Sequence, residues 1–68
     1  MDVKARLARN VRTLREAAGV SQDAFADMVD VHRTYMSGIE RGKRNPSIAV
    51  VEKITIALAV EPGRLLEK

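Results

Sequence analysis

Apolar residues recur at helical spacing in two short segments near the middle of the chain, and each recurrence marks the buried face of one helix. The first segment follows Ser21, a residue type that caps helices by accepting hydrogen bonds from unpaired amides. The second segment spans residues 32–41. Together they predict a helix-turn-helix over about residues 21–41. The inward-facing residues are Phe25, Ala26 and Val29 in the first helix and Met36 and Ile39 in the second.

The turn between these helices is expected at Asp30, with Val31 as an apolar plug beneath it. Such a turn requires left-handed backbone, which favours glycine but which aspartate tolerates because its short side chain bonds locally. Beyond the turn, the outer face of the second helix carries polar and small residues. They are Arg33, Thr34, Ser37 and Gly38.

Helical patterns also flank the central pair. Asp2 is a suitable cap for a first helix that Gly19 ends, Ser47 caps a fourth helix, and Pro62 suits the first turn of a last short helix ending at Leu65 and Leu66. The sequence therefore predicts one all-α domain of five short helices over residues 1–68. The residues expected to face the core are Val3, Leu7, Val11, Leu14 and Ala18 in the first helix and Ile48, Val51, Ile54, Thr55 and Leu58 in the fourth.

Composition agrees with a small helical domain. The chain has 68 residues, 46% of them hydrophobic but only 3% aromatic, so its core must be mainly aliphatic. It has no cysteine, which excludes disulfides and thiolate metal sites. No apolar run approaches the ~18 residues that span a bilayer, and the first ten residues lack the apolar segment of a signal peptide. We expect a cytoplasmic protein without membrane association, bound metal or cofactor.

The distribution of charge is more informative than the net charge of +3. Residues 1–20 and residues 32–47 each carry a net charge of +3, whereas residues 21–31 carry −3 and residues 48–68 are neutral. Positive charge thus concentrates on the first helix and around the second helix of the predicted pair. This pattern favours an anionic partner at those surfaces.

Three motifs resemble the lambda-repressor and Cro family of helix-turn-helix domains, and the resemblance extends over nearly the whole chain. They are GVSQ at residues 19–22, F-A-x-x-V at residues 25–29 and Y-M-S-x-I-E-R-G-K-R-N-P-S at residues 35–47. The resemblance implies a compact five-helix fold and a transcriptional regulator that binds double-stranded DNA as a homodimer on a short palindromic operator. In size the chain is similar to the controller proteins of restriction-modification systems.

In such a domain the N-terminal part of the second helix of the pair reads bases in the major groove. Arg33 is the leading candidate for a base contact, because a guanidinium can donate two hydrogen bonds to one guanine. The alternatives are that Arg33 binds a phosphate or is simply solvated. Thr34 and Ser37 share that face and can contact bases or phosphate. His32 lies near the helix cap and is either a DNA contact or an ordinary surface histidine. Gly38 can touch DNA only through close backbone approach.

The loop after this helix is basic and is expected to hold phosphates, with Gly42 allowing the turn. Gln22 begins the preceding helix, and the resemblance implies that it contacts phosphate and also supports the reading helix; the alternative is an ordinary exposed glutamine. These contacts would supply affinity rather than sequence choice. The predicted phosphate-contacting residues are Gln22, Arg41, Lys43, Arg44 and Asn45.

Arg15 and Glu40 match a pair that the family uses as an internal ion pair between the first helix and the end of the reading helix. We assign both to structure, because breaking a partly buried pair leaves one charge uncompensated. The remaining arginines of the first helix, Arg6, Arg9 and Arg12, are expected to form a solvated face with at most one phosphate contact.

A homodimer needs a second apolar surface, for which Ile56, Val60 and Leu66 are the available residues. A competing hypothesis is an antitoxin that binds a toxin protein and regulates its own operon. An enzyme is the third alternative, since Asp23 and Asp27 form a carboxylate pair at helical spacing. Without a second histidine, a cysteine or a phosphate loop, that pair is better explained as a solvated acidic face.

Overall fold

Four α-helices and one short 3₁₀ helix account for the regular structure in the computed structural model, which describes residues 2–68. Met1, the first residue of the predicted domain, lies outside the described residues. The described part contains no strand, which confirms the all-α prediction. The helices are α1 (Val3–Ala17), α2 (Gln22–Val29), α3 (Arg33–Glu40), α4 (Ile48–Leu58) and the 3₁₀ helix (Pro62–Leu66).

The prediction of five short α-helices is therefore wrong for the last one. That segment begins at Pro62, as expected, but its five residues form a 3₁₀ helix and Glu67 after them is extended. Leu65 nevertheless enters the core completely. The 3₁₀ helix packs on α1 and α4.

The helix ends follow the capping residues expected from the sequence. Asp2, Ser21 and Ser47 each accept a hydrogen bond from the backbone amide three residues ahead, at 2.7, 3.1 and 3.2 Å. Asp30 ends α2 in the left-handed conformation with φ of 60°, as predicted. Ala59 ends α4 in the same conformation, with φ of 55°, although nothing in its side chain favours it.

The core lies where α1, α2, α3, α4 and the 3₁₀ helix meet. Three expected core positions are wrong: Val3 and Ile48 are 58% and 86% exposed, and Ala18 is also exposed. Each lies at the end of its helix, beyond the part of the apolar stripe that packs on a neighbour. The largest side chains that are fully buried are Phe25, Met36, Ile39, Ile54, Leu65, Val11 and Val29.

Side chains of α1 bind the C-terminal backbone, a contact that the sequence did not predict. The buried amide of Asn10 donates to the carbonyl oxygens of Leu65 and Glu67 at 2.8 and 2.7 Å. Arg9 donates to the Glu67 carbonyl at 2.8 Å, and Arg6 donates to the intervening carbonyl at 3.3 Å. Arg9 and Arg12 are exposed, as expected of a solvated face, and Arg6 is half-buried beside the C-terminal backbone.

Candidate nucleic-acid interface

The first turn of α3 presents three exposed side chains, those of His32, Arg33 and Thr34, while Ser37 one turn later is half-buried. His32 is the N-cap, and its Nδ1 accepts a hydrogen bond from the backbone amide of Thr34 at 3.1 Å. An accepting Nδ1 carries no proton, so Nε2 is the nitrogen left to face outward. The helix therefore begins with a side chain that serves both as cap and as part of the exposed face.

Arg33 lies beside an acidic residue of the preceding helix. Its Nη1 is 3.7 Å from Oδ2 of Asp23, and the two side chains are 72% and 69% exposed. A long contact between two exposed groups contributes little free energy. Arg33 can therefore exchange Asp23 for another acceptor at small cost.

A buried ion pair connects α3 to α1. Arg15 Nε and Nη2 donate to the two carboxylate oxygens of Glu40 at 2.7 and 3.0 Å, and its Nη1 donates to the carbonyl of Val20 at 2.8 Å. The hydrogen bond to Glu40 raises the pKa of Arg15 above its usual value, although burial opposes the shift. This is the pair expected from the sequence, and it joins α1 to the last residue of α3.

Gln22 joins the same network from α2. It is half-buried, and its Nε2 donates to Glu40 Oε1 at 3.1 Å. One carboxylate thus connects α1, α2 and α3. The phosphate contact of Gln22 stays a prediction.

The loop after α3 carries four exposed polar residues. Gly42, with φ of 72°, provides the left-handed turn that starts this loop. Across residues 2–68, no carboxylate forms an ion pair with any of the loop cations. Their charge is available to an external anion. The four residues are Arg41, Lys43, Arg44 and Asn45.

Gly38 is buried, which contradicts its expected place on the open face of α3. The loop folds back over it, and the amides of Lys43 and Arg44 both donate to the Gly38 carbonyl, at 2.8 and 3.2 Å. The Arg44 guanidinium carbon lies 5.9 Å from the ring centroid of Tyr35. Sequence reasoning did not single out Tyr35, because helical spacing alone does not show that the loop returns to it.

The residues suggested for a dimer contact differ in exposure. Ile56 is 72% exposed and Leu66 is exposed, whereas Val60 is half-buried and packs against the core. Met28, which the sequence placed outside the apolar stripe of α2, shares a shallow depression with Ile56 and Ala57. Met28 and Ile56 therefore form an exposed apolar patch between α2 and α4.

The described part of the chain has neither a membrane span nor a cluster of metal ligands. No helix there is long and apolar enough to cross a bilayer. Nor does that part contain a group of three or more histidine, aspartate or glutamate side chains arranged to hold a metal ion. The acidic pair Asp23 and Asp27 lies on the exposed side of α2.

Comparison with protein families places the chain in a known class. A family model described as Helix-turn-helix (HTH_3) matches residues 11–65, which include all of α2, α3 and α4. The chain belongs to this helix-turn-helix family. It is therefore a DNA-binding transcription regulator, in agreement with the resemblance inferred from its motifs.

The individual relatives of this chain include two control proteins. The chain is 43% identical over 65 residues to control protein C.MunI from Mycoplasma sp, covering 94% of this chain and 88% of that protein. It is 42% identical over 67 residues to control protein C.BamHI from Bacillus amyloliquefaciens, covering 97% and 83%.

A solved structure agrees with this assignment. The restriction-modification controller protein C.AhdI from Aeromonas hydrophila superimposes with a TM-score of 0.85 at 38% identity. The match covers 90% of this chain and 92% of that one. The fold is thus shared over nearly the whole of both chains.

Proposed function

We propose that the chain is a sequence-specific regulator that acts as a homodimer on a short palindromic operator, in the manner of a restriction-modification controller protein. The central observation is the exposed first turn of α3, followed by a loop whose cations pair with no carboxylate of residues 2–68. A helix of this kind fits the major groove while flanking donors hold phosphates. Similarity to the control proteins C.MunI and C.BamHI and to the restriction-modification controller protein C.AhdI supports the regulatory part of the proposal. The protein would act in the cytoplasm, where bacterial DNA lies.

Base reading is assigned to the first turn of α3. Arg33 is exposed and only loosely paired with Asp23, so its planar fork is free to bind O6 and N7 of a guanine. Thr34 and His32 flank it, and Ser37 lies one turn further along the helix. Each good bidentate contact discriminates by about 1–3 kcal/mol against the wrong base.

Phosphate binding is assigned to the basic loop and to Gln22. Arg41, Lys43, Arg44 and Asn45 are all exposed and follow directly after α3. Contacts of this type set the register of the protein on the duplex and make affinity depend on salt. Gln22 sits at the start of α2, where helix amides also attract phosphate.

Dimerisation is assigned to apolar side chains of α4 and of the segment that follows it. Ile56 and Leu66 are exposed there, and Val60 contributes its half-buried side chain. Two copies related by a two-fold axis would place their α3 helices in successive major grooves about 34 Å apart. The operator would then be a palindrome whose half-sites are one helical turn apart.

Selection from a randomised duplex library at about 0.15 M salt tests this proposal, because screening at that salt suppresses purely electrostatic binding. We expect enrichment of a palindrome with half-sites about one turn apart. Enrichment of a single half-site would contradict the dimer. Failure to enrich any sequence would contradict specific DNA binding and favour the antitoxin hypothesis instead.

A further inference from the structure

Gly38 is buried in α3 beneath the side chain of Arg44. A Cβ atom at residue 38 would lie 2.6 Å from Cγ of Arg44, 3.6 Å from its Cβ and 3.7 Å from its Cδ. Carbon atoms that are not bonded pack best at about 3.5–4.0 Å. The Arg44 stem therefore occupies the space that any other residue at position 38 would fill.

Backbone hydrogen bonds fix the main chain of Arg44 next to Gly38. The amides of Lys43 and Arg44 donate to the single carbonyl of Gly38, at 2.8 and 3.2 Å. These bonds draw the loop onto α3. The Arg44 side chain therefore starts directly above Gly38 and has to run across the helix.

The other end of the side chain is held by Tyr35. The guanidinium carbon lies 5.9 Å from the ring centroid, within the range of a cation–π contact, and the half-buried Tyr35 packs against the core. The guanidinium is not used elsewhere, since no carboxylate within residues 2–68 pairs with Arg44. Its N–H groups stay open to solvent at the edge of the reading helix.

We propose that Gly38 is a positioning residue for DNA binding. Its missing side chain lets Arg44 lie across α3 onto Tyr35, which preorganises the guanidinium for a backbone phosphate next to the bases read by α3. This inference rests on the proposed DNA-binding function. A guanidinium already held in place loses less conformational freedom on binding than a free loop arginine, and its fork suits phosphate geometry.

The free protein provides the first test. Tyr35 is the only tyrosine, so its ring signals in NMR spectra are unambiguous. Arg44 side-chain protons should be shifted upfield by the ring and should show nuclear Overhauser contacts to it. Both features should disappear in Gly38→Ala. They are necessarily absent in Tyr35→Leu, which has no ring at this position and serves as the reference. Unchanged Arg44 shifts in Gly38→Ala would overturn the inference.

Salt titration provides the functional test. Binding of a labelled mixed-sequence duplex of about two helical turns is measured from about 0.05 to 0.2 M KCl. Arg44→Ala should reduce the slope of log affinity against log salt by about one. Gly38→Ala should reduce it equally, and the double variant should lose no more than either single one. Arg41→Ala is the matched control. Added to Gly38→Ala, it should reduce the salt slope by about one more.

The outcomes separate the inference from the function on which it rests. If the wild-type protein does not bind the duplex, the proposed function fails. If it binds and Gly38→Ala keeps the full slope, or if the effects of Gly38→Ala and Arg44→Ala add, only the inference fails.

A folding control covers the case in which Gly38→Ala is unstable. Arg44→Ala removes the side-chain carbons that a Cβ atom at position 38 would crowd. In that background Gly38→Ala should raise Tm, because alanine is a better helix former than glycine. Gly38→Ala in the presence of Arg44 should give a smaller rise or a fall. An equal change in Tm in both backgrounds would overturn the inference.

Discussion

Arg15 Nε lies 2.7 Å from Glu40 Oε2, and this contact ties the first helix to the last residue of the reading helix. The Glu40 side chain is only 2% exposed, so the pair is shielded from water. Because the pKa of Arg15 is raised, its contribution to stability is complete below the pKa of a free arginine and is lost only above it. The pair therefore persists through the neutral range.

Glu40→Ala should destabilise the domain strongly, by about 3–5 kcal/mol, since it removes the carboxylate that pairs with the buried charge of Arg15. Urea or thermal unfolding measures the loss. Arg12→Ala is the matched control, because the exposed Arg12–Glu16 pair at 3.3 Å should contribute no more than about 1 kcal/mol. Equal losses for both variants would show that the buried pair has no special role.

His32→Ala should remove the cap of the reading helix and cost about 0.5–2 kcal/mol. His32→Ser restores a side-chain acceptor for the Thr34 amide and should recover most of that loss. Unfolding by denaturant distinguishes the two variants. If serine and alanine are equally destabilising, the hydrogen bond to Nδ1 does not cap the helix.

Ala59→Gly should raise stability by about 0.5–1 kcal/mol, because Ala59 is held in left-handed backbone that glycine adopts without penalty. The matched control is Ala49→Gly in the exposed first turn of α4, where glycine should be neutral or destabilising. Thermal unfolding of both variants is the measurement. A fall in Tm for Ala59→Gly would contradict the strain assigned to this position.

The helix boundaries were predictable because their causes are local. The caps at Ser21 and Ser47 and the left-handed turn at Asp30 depend on residues within one turn of the chain. The left-handed conformation of Ala59 is not predictable in the same way, because nothing in an alanine side chain favours it. The sequence does not distinguish the 3₁₀ helix from an α-helix, because a proline in the first turn is compatible with both.

Contacts between distant segments were largely beyond the sequence. Asn10 donates to the carbonyl oxygens of Leu65 and Glu67, which lie more than 50 residues away in sequence. No local sequence pattern predicts such a contact. Gly38 was placed on an open face because helical periodicity does not include the returning loop. The Arg15–Glu40 pair is the exception, and it was expected from a family resemblance rather than from spacing.

Arg33→Ala and Lys43→Ala should weaken DNA binding in different ways. Arg33→Ala should lower affinity for the selected operator by about 1–3 kcal/mol and relax base choice at one position in each half-site. Lys43→Ala should weaken specific and random duplexes alike and reduce the salt slope by about one. Fluorescence anisotropy on both duplexes measures these effects. Equal losses on both duplexes for Arg33→Ala would contradict its role as a base reader.

The most direct measurement for the central claim is competition between the selected operator and a scrambled duplex of the same composition at about 0.15 M salt. We predict that the wild-type protein prefers the operator by about a thousandfold or more, the ratio expected of a specific regulator. Equal affinity for the two duplexes would contradict the account, because binding would then depend on phosphates alone.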